Sequence, residues 1–470
     1  MKLRELLLNP RGSLLLLPWA ILVGLTFRTD PYGLAEEGAK ALLLAWSVGE
    51  AVASAAFALG APDIRAVVFL PLGFLWPGQV MAAKGLTLLV MAAAGVGLYR
   101  WRSRGDQGEA ALLATGLMLI APLCVDGIDA LSAAPFLLAV FAAADWLNRK
   151  LATERGALGA SFFMQLLACA AAVSVHPAGL AYPVLLLFTW WSAPPDRRHR
   201  QYFLFGIPLV VAVVLAMRLG WPGMHWLQNP LPAAAAVFGG NRVEDSLSGV
   251  AWGGGLALLA ATLAVAVHER RRLLADLTGG TLLLGVVFGA VAADGTWGLL
   301  MFALLLYGGL PWLLRACAPL AVHGLLVQRG WLWLLLLLVS TAFMRTDRGE
   351  VEVRRQNRLS GQDQLIHDFA EGLNSLQAGD KAAGAPGVAI LVASSWPART
   401  SIACRCDGLP LPPAAKDPDS QLAMMRGVSY VILGDDAENR ALANNFSQLG
   451  RRIEVLEKEP DGVILHFKPP

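Results

Sequence analysis

Apolar residues occur along this chain in blocks too long for a soluble core. Between residues 12 and 344 they fill the segments 13–28, 80–99, 109–125, 127–147, 157–175, 178–193, 202–220, 248–267, 277–293, 297–315 and 330–345. A helix rises about 1.5 Å per residue and needs about 20 apolar residues to cross the hydrocarbon layer. The pattern therefore predicts about eleven transmembrane helices. From residue 345 it changes. Leu365, Ile366, Phe369, Leu373 and Leu376 stand at helical spacing over 362–376, and the runs 387–394 and 428–435 read as buried strands. A helix over 436–449 and a hairpin turning at Pro460-Asp461-Gly462 complete a small α/β unit. The expected fold class is a polytopic α-helical membrane protein, residues 1–345, followed by a soluble α/β domain, residues 346–470.

Composition supports that division. The chain is 56% hydrophobic and only 16% charged, against about 25% charged in soluble domains, and the deficit is confined to residues 12–344. The charges also have a side. Seventeen Lys and Arg residues, from Lys2 to Arg329, fall in alternate connections, while the opposite ones before the tail carry only Arg28, Lys40, Arg65 and Arg242. Basic loops stay in the cytoplasm. The N-terminus is thus expected inside and the tail outside, in the periplasm of a bacterial inner membrane. The segment Met1–Phe27 lacks a small-residue cleavage site and reads as a retained first helix. The net charge of +3 says little by itself, since the placement of the charges carries the information, and no nucleic-acid partner is read from it. Cys124, Cys169 and Cys317 lie in apolar runs, where cysteine is a small hydrophobe. Cys404 and Cys406, in Cys-Arg-Cys, read as an incidental or redox-labile pair ahead of a metal site, because two ligands do not make one.

The outer connections carry the chemistry. The first, 28–79, holds an amphipathic stretch, Leu34–Gly60, suited to lying at the membrane interface, and a piece, Val67–Trp76, broken by Pro71. The connection 221–247, rich in Pro, Gly and Trp, reads as an irregular lid. Charge near hydrocarbon is costly and usually has a purpose. At this level stand Asp30 after the first span, Asp126 and Asp129 at the turn between the third and fourth, His176 between the fifth and sixth, and Lys84, Arg218, Arg242 and Asp294.

Several strings in this region occur in a telling order: Asp30-Pro31-Tyr32 with Ala35-Glu36 and Ala39, then Phe69-Leu70-Pro71-Leu72-Gly73, then Leu98-Tyr99-Arg100-Trp101-Arg102. Asp129-Ala130-Leu131 and His176-Pro177-Ala178-Gly179-Leu180 follow. In this order and topology the chain resembles the GT-C superfamily of lipid-linked-sugar glycosyltransferases, nearest the aminoarabinose transferases and protein O-mannosyltransferases. The resemblance covers most of residues 1–200 and the overall layout. It departs at Pro31, where a second acid is common, and at His176, where a Lys is frequent.

The resemblance implies inverting transfer of a sugar from a polyprenyl-phosphate donor lipid to a lipid, protein or glycan acceptor, with Asp30 as general base. Lys84, Arg218 and Arg242 are candidates to hold the phosphate, Asp126 and Asp129 to bind sugar or acceptor, and Glu36 and His176 to line the site. No cofactor is expected, since users of monophosphate-linked donors generally need no divalent metal. Each residue also has a plainer reading. Asp30 and Asp129 are good helix N-caps, Asp126 a solvated turn residue and Glu36 a water-facing side chain. Lys84 is a snorkelling cation, and His176 an interfacial ring in a turn. The rival classes are an inactive GT-C-shaped scaffold subunit of an envelope complex and a lipid or solute transporter. Transport is disfavoured by the absence of an internal repeat and of midplane charge.

Overall fold

The computed structural model describes residues 33–49, 63–104, 108–153, 159–193, 200–219, 245–290, 295–317, 361–382, 390–435, 437–449, 453–459 and 462–467. In chain order the helices are α1 (Glu36–Gly49), α2 (Ile64–Leu75), α3 (Val80–Arg102), α4 (Gly108–Leu119), α5 (Pro122–Asp129) and α6 (Ala134–Thr153). Then come α7 (Ala160–Val175), a 3-10 turn (Pro177–Leu180), α8 (Ala181–Trp191), α9 (Arg200–Leu219), α10 (Asp245–Leu273) and α11 (Leu277–Gly289). They are followed by α12 (Gly295–Leu304), a π turn (Leu305–Gly309) and α13 (Leu310–Cys317). The tail contributes α14 (Gln362–Ala382), α15 (Pro397–Cys404), α16 (Pro418–Met424) and α17 (Ala437–Gln448), with strands β1 (Leu391–Ser394), β2 (Asp407–Pro410), β3 (Tyr430–Gly434), β4 (Ile453–Glu459) and β5 (Gly462–Phe467).

Helices occupy every segment expected between 80 and 315. The first and last expected spans, 13–28 and 330–345, lie outside the described residues. Among the described residues Val80–Arg102 and Thr296–Leu313 are long and apolar enough to cross a membrane, and the pair Ala110–Leu119 and Leu123–Asp129, bent by 49°, makes a third if it counts as one span. Pro122 explains that bend, because proline opens a new helix where it cannot continue an old one. The expected break at 126 therefore moves to 120–121 and 130–133.

The chain forms two units, one of residues 1–28, 60–65 and 84–350 and one of 29–59, 66–83 and 351–470. The interfacial stretch thus groups with the tail, whereas the sequence division placed it with the membrane body. The physical basis is a cap: the Glu36 carboxylate accepts the backbone N–H groups of Ala398 and Arg399 at 3.0 and 3.2 Å.

In the first unit Leu98, Met118, Leu137, Phe141, Tyr182 and Leu300 belong to one continuous apolar core. Its helices also turn large apolar side chains outward: Phe163, Phe188, Phe205, Leu209 and Val267 are each more than half exposed. A surface apolar inside and out is that of a membrane protein.

The tail sheet has the order β2-β1-β3-β5-β4, parallel through β2, β1 and β3 and antiparallel from β3 to β4. Successive strand residues face opposite sides. Val431 and Leu433 pack with Leu442 and Phe446 of α17, while Ile432 packs with Leu365, Phe369 and Leu373 of α14. Both faces are covered, which is why VILG reads as an unbroken apolar run. The sequence reading missed β2, α15 and α16, which are short and lack a strong apolar period. Cys404 and Cys406 form a disulfide at the end of α15.

Gly408 and Gly372 test this packing in opposite directions. A methyl on Gly408 would collide with Ser401 Oγ and the Pro397 carbonyl, whereas one on Gly372, within α14, meets nothing. Gly408→Ala should lower the stability of the full chain by about 1–3 kcal/mol, and Gly372→Ala should raise it by about 0.5–1 kcal/mol, both read by thermal unfolding in detergent.

Candidate functional site

The site is built around the end of α5. The Ala130 N–H donates to Asp126 O, Leu131 N–H to Ile128 O and Ser132 N–H to Gly127 O, the bonding of a Schellman C-cap. Glycine usually takes the left-handed position of such a cap. Here it is Leu131, at φ 53°, with a fully buried side chain. A non-glycine residue there costs about 1–2 kcal/mol, so the turn must be held from outside.

Two cations hold it. Arg65 donates from Nη1 to the Leu131 carbonyl at 2.9 Å. The same guanidinium grips Asp63 Oδ2 through Nε and Nη2 at 2.8 and 2.5 Å. Asp63 in turn caps α2, its Oδ1 accepting the Arg65 backbone N–H at 2.8 Å. The next N–H along that helix start, from Ile64, goes to Ser174 Oγ at the end of α7. Lys84, near the start of α3, places Nζ 2.6 Å from Asp129 Oδ1. Lys84 is 2% exposed and Asp129 3%, so the pair lies out of water. The starts of α2 and α3, the turn after α5 and the end of α7 therefore converge on one layer.

The expected residues fall into this layer unequally. Lys84 and Asp129 meet directly. Lys84 is buried and ion-paired where a snorkelling cation would be exposed, and Asp129 ends α5 where an N-cap would begin α6. Asp126 lies three residues earlier on the same face of α5 and is partly buried. His176, 6% exposed, caps the 3-10 turn, its Nδ1 accepting the Ala178 N–H at 3.1 Å. That turn packs closely on α7, since a methyl on Gly179 would collide with the Ala172 carbonyl. Arg218 lies in α9, with its side chain outside the described atoms. Asp30, Arg242 and Asp294 lie outside the described residues.

Glu36 is in the other unit. Its two oxygens cap the first turn of α15, where Trp396 supplies no side-chain cap. Arg399 of the same turn pairs with Asp363. Burial pushes the Glu36 carboxyl up from its ordinary range, against the lowering effect of Lys40 and the two backbone donors.

Sequence reasoning missed Asp63, Arg65 and Ser174 as parts of the site. Pro62-Asp63 before an apolar helix is a cap signal, but nothing in the sequence marks the Leu131 carbonyl as the target of Arg65.

No protein-family model and no curated relative matches the chain. Solved structures resemble it, including these two. One is the archaeal oligosaccharyltransferase AglB from Archaeoglobus fulgidus in complex with an inhibitory peptide and a dolichol-phosphate. The two are 11% identical over 91% of this chain and 69% of that one, with a TM-score of 0.52. The other is ArnT from Cupriavidus metallidurans bound to undecaprenyl phosphate, 14% identical over 96% of this chain and 97% of that one, with a TM-score of 0.50. At these identities the likeness is one of fold, which this chain shares with both.

Two predictions follow from these contacts. Lys84→Met, which leaves Asp129 buried without its cation, should cost about 3–5 kcal/mol, and adding Asp129→Leu should recover much of the loss; a double-mutant cycle on thermal unfolding reads the coupling. For Glu36 the folded carboxyl binds its proton more tightly than the unfolded one. Its contribution is therefore greatest below the ordinary value of 4.5 and is lost as pH rises from there through the raised folded value. Glu36→Gln should flatten that part of the stability–pH curve.

Proposed function

We propose that this protein transfers a sugar from a polyprenyl-phosphate donor to an acceptor at the non-cytoplasmic face of the membrane. Asp30 is the general base, and the anomeric centre is inverted. The reading includes about eleven spans, a cytoplasmic N-terminus and a periplasmic tail in a bacterial inner membrane. The observation that carries it is the buried Lys84–Asp129 pair in one layer with Asp126 and the turn at His176. Its support from fold is the likeness to ArnT and AglB, whose structures hold undecaprenyl phosphate and dolichol-phosphate.

The chemistry follows from what the donor requires. Its phosphate sits at headgroup level and departs with growing negative charge. A carboxylate near the anomeric carbon takes the proton of the incoming hydroxyl or amine. A cation in a water-poor layer stabilises the departing phosphate more than it would in water. Lys84 fills that role by leaning from Asp129 toward the phosphate, with Arg218 and Arg242 as further phosphate contacts. Asp126 and Asp129 bind sugar or acceptor hydroxyls, and His176 holds the adjoining turn. Glu36 acts through the α1–α15 contact. No metal is required for this reaction. The acceptor is a lipid, protein or glycan.

A second reading, a GT-C scaffold without catalysis, has an observation of its own: Lys84 is already neutralised by Asp129, and Pro31 replaces the second acid common in the family the sequence resembles.

Purified full-length protein supplied with polyprenyl-phosphate sugars separates the two. Asp30→Asn should lower the transfer rate by about 10²–10⁴-fold, with the protein still folded by thermal unfolding. Undiminished turnover would remove Asp30 from the mechanism, and wild-type protein inert toward every such donor would favour the scaffold.

A further inference from the structure

A second charged site lies at the other end of the same helices. α3 runs from Val80 to Arg102 over 23 residues. At about 1.5 Å per residue, Lys84 and the turn at Arg104 stand about 30 Å apart, the thickness of a hydrocarbon layer. At that far end Arg104, Trp146, Arg149 and Lys150 line a cleft of about 410 Å³. The last three come from the final turns of α6.

The cleft has structure beyond surface charge. The Arg149 Nε donates to the Asp145 carbonyl at 3.1 Å, which fixes the guanidinium stem. Lys150 Nζ lies 5.2 Å over the Trp146 ring. Trp146 is 54% exposed, an indole left at the surface beside three cations. Asp145, the acid one turn before Arg149, is buried, and its Oδ1 accepts the Leu277 N–H at the start of α11. Its backbone N–H donates to Thr278 Oγ1. This carboxylate is thus directed into the helix packing.

We propose that this cleft binds the phosphate headgroup of an anionic phospholipid of the cytoplasmic leaflet. Trp side chains settle at the headgroup level, and basic pockets between spans on the cytoplasmic side recognise anionic headgroups. A phosphodiester meets the three cations, and its acyl chains run along the apolar helix faces. The distance from Lys84 separates this lipid from the sugar donor, whose phosphate belongs to the opposite surface. The side of the membrane rests on the charge asymmetry of the loops, whereas the binding itself does not depend on any sugar-transfer activity.

Native mass spectrometry of the full chain in neutral detergent tests it with added phosphatidylglycerol, phosphatidylcholine or inorganic phosphate. Phosphatidylglycerol should bind at least tenfold more tightly than phosphatidylcholine. Because each Lys or Arg near an anionic surface is worth roughly fivefold, Arg104→Gln, Arg149→Gln and Lys150→Gln together should weaken phosphatidylglycerol at least tenfold. Arg270→Gln, Arg271→Gln and Arg272→Gln remove the same charge from the end of α10 and should leave the affinity within about twofold. If the site triple does not yield folded protein, Arg104→Gln and Lys150→Gln alone should each weaken phosphatidylglycerol several-fold. Equal affinity for the two lipids, equal loss in both triples, no loss in the single variants, or displacement by millimolar inorganic phosphate would each overturn the proposal. Sugar transfer measured on the same variants keeps this result separate from that of the donor reading.

Discussion

The membrane unit depends on charge neutralised inside a medium that cannot solvate it. An isolated buried ammonium or carboxylate costs several kcal/mol, and only a well-placed partner offsets that cost. Lys84 with Asp129 and Arg65 with Asp63 meet the condition. The Lys84–Asp129 pair, and the bond from the paired Arg65 to the Leu131 carbonyl, tie together elements that the apolar core alone would let slide. Leu–Leu packing has little directional preference, whereas an ion pair 2.6 Å long specifies which turn of α5 faces the start of α3. The left-handed Leu131 marks where that constraint acts. Its backbone is held in a conformation it would otherwise avoid, and Arg65 supplies the hydrogen bond to its carbonyl. Strained residues of this kind gather at functional sites because the surroundings over-determine them.

The tail obeys a related electrostatic rule. In parallel α/β sheets the N-terminus of the helix after a strand attracts anions, because its first N–H groups lack partners and the helix dipole is positive there. α15 follows β1 in this way, and the group it holds is the carboxyl of Glu36 of the same chain. A place that often takes a phosphate or carboxylate ligand is therefore closed by a side chain 362 residues earlier in the sequence. The same contact explains why the stretch at 29–59 belongs with the tail.

The legibility of the site followed the range of each interaction. Asp126, Asp129, His176 and Lys84 stood out because polar residues beside long apolar runs are conspicuous; α5 carries the two acids, α3 the lysine, and His176 caps the 3-10 turn. Their partners were hidden. Asp129 looked like a local cap and instead meets a lysine 45 residues away. Arg65 counted only toward the charge of a loop, although it bonds a carbonyl 66 residues on. In the tail, α14, α17 and strands β1, β3, β4 and β5 announced themselves by period and by Pro-Asp-Gly. By contrast, β2 has four residues, and its pairing with β1 depends on the βαβ crossover through α15.

The sequence alone determined what is local or additive: where apolar runs suit helices, which connections carry the basic residues, and which tail segments read as strands. Those properties arise from backbone geometry and transfer free energy, which each short window expresses for itself. The tertiary structure decided the pairings: Lys84 with Asp129, Arg65 with Leu131 and Glu36 with α15. Burial fixes which charges must find partners, and only the three-dimensional path of the chain determines which partner lies within hydrogen-bonding distance.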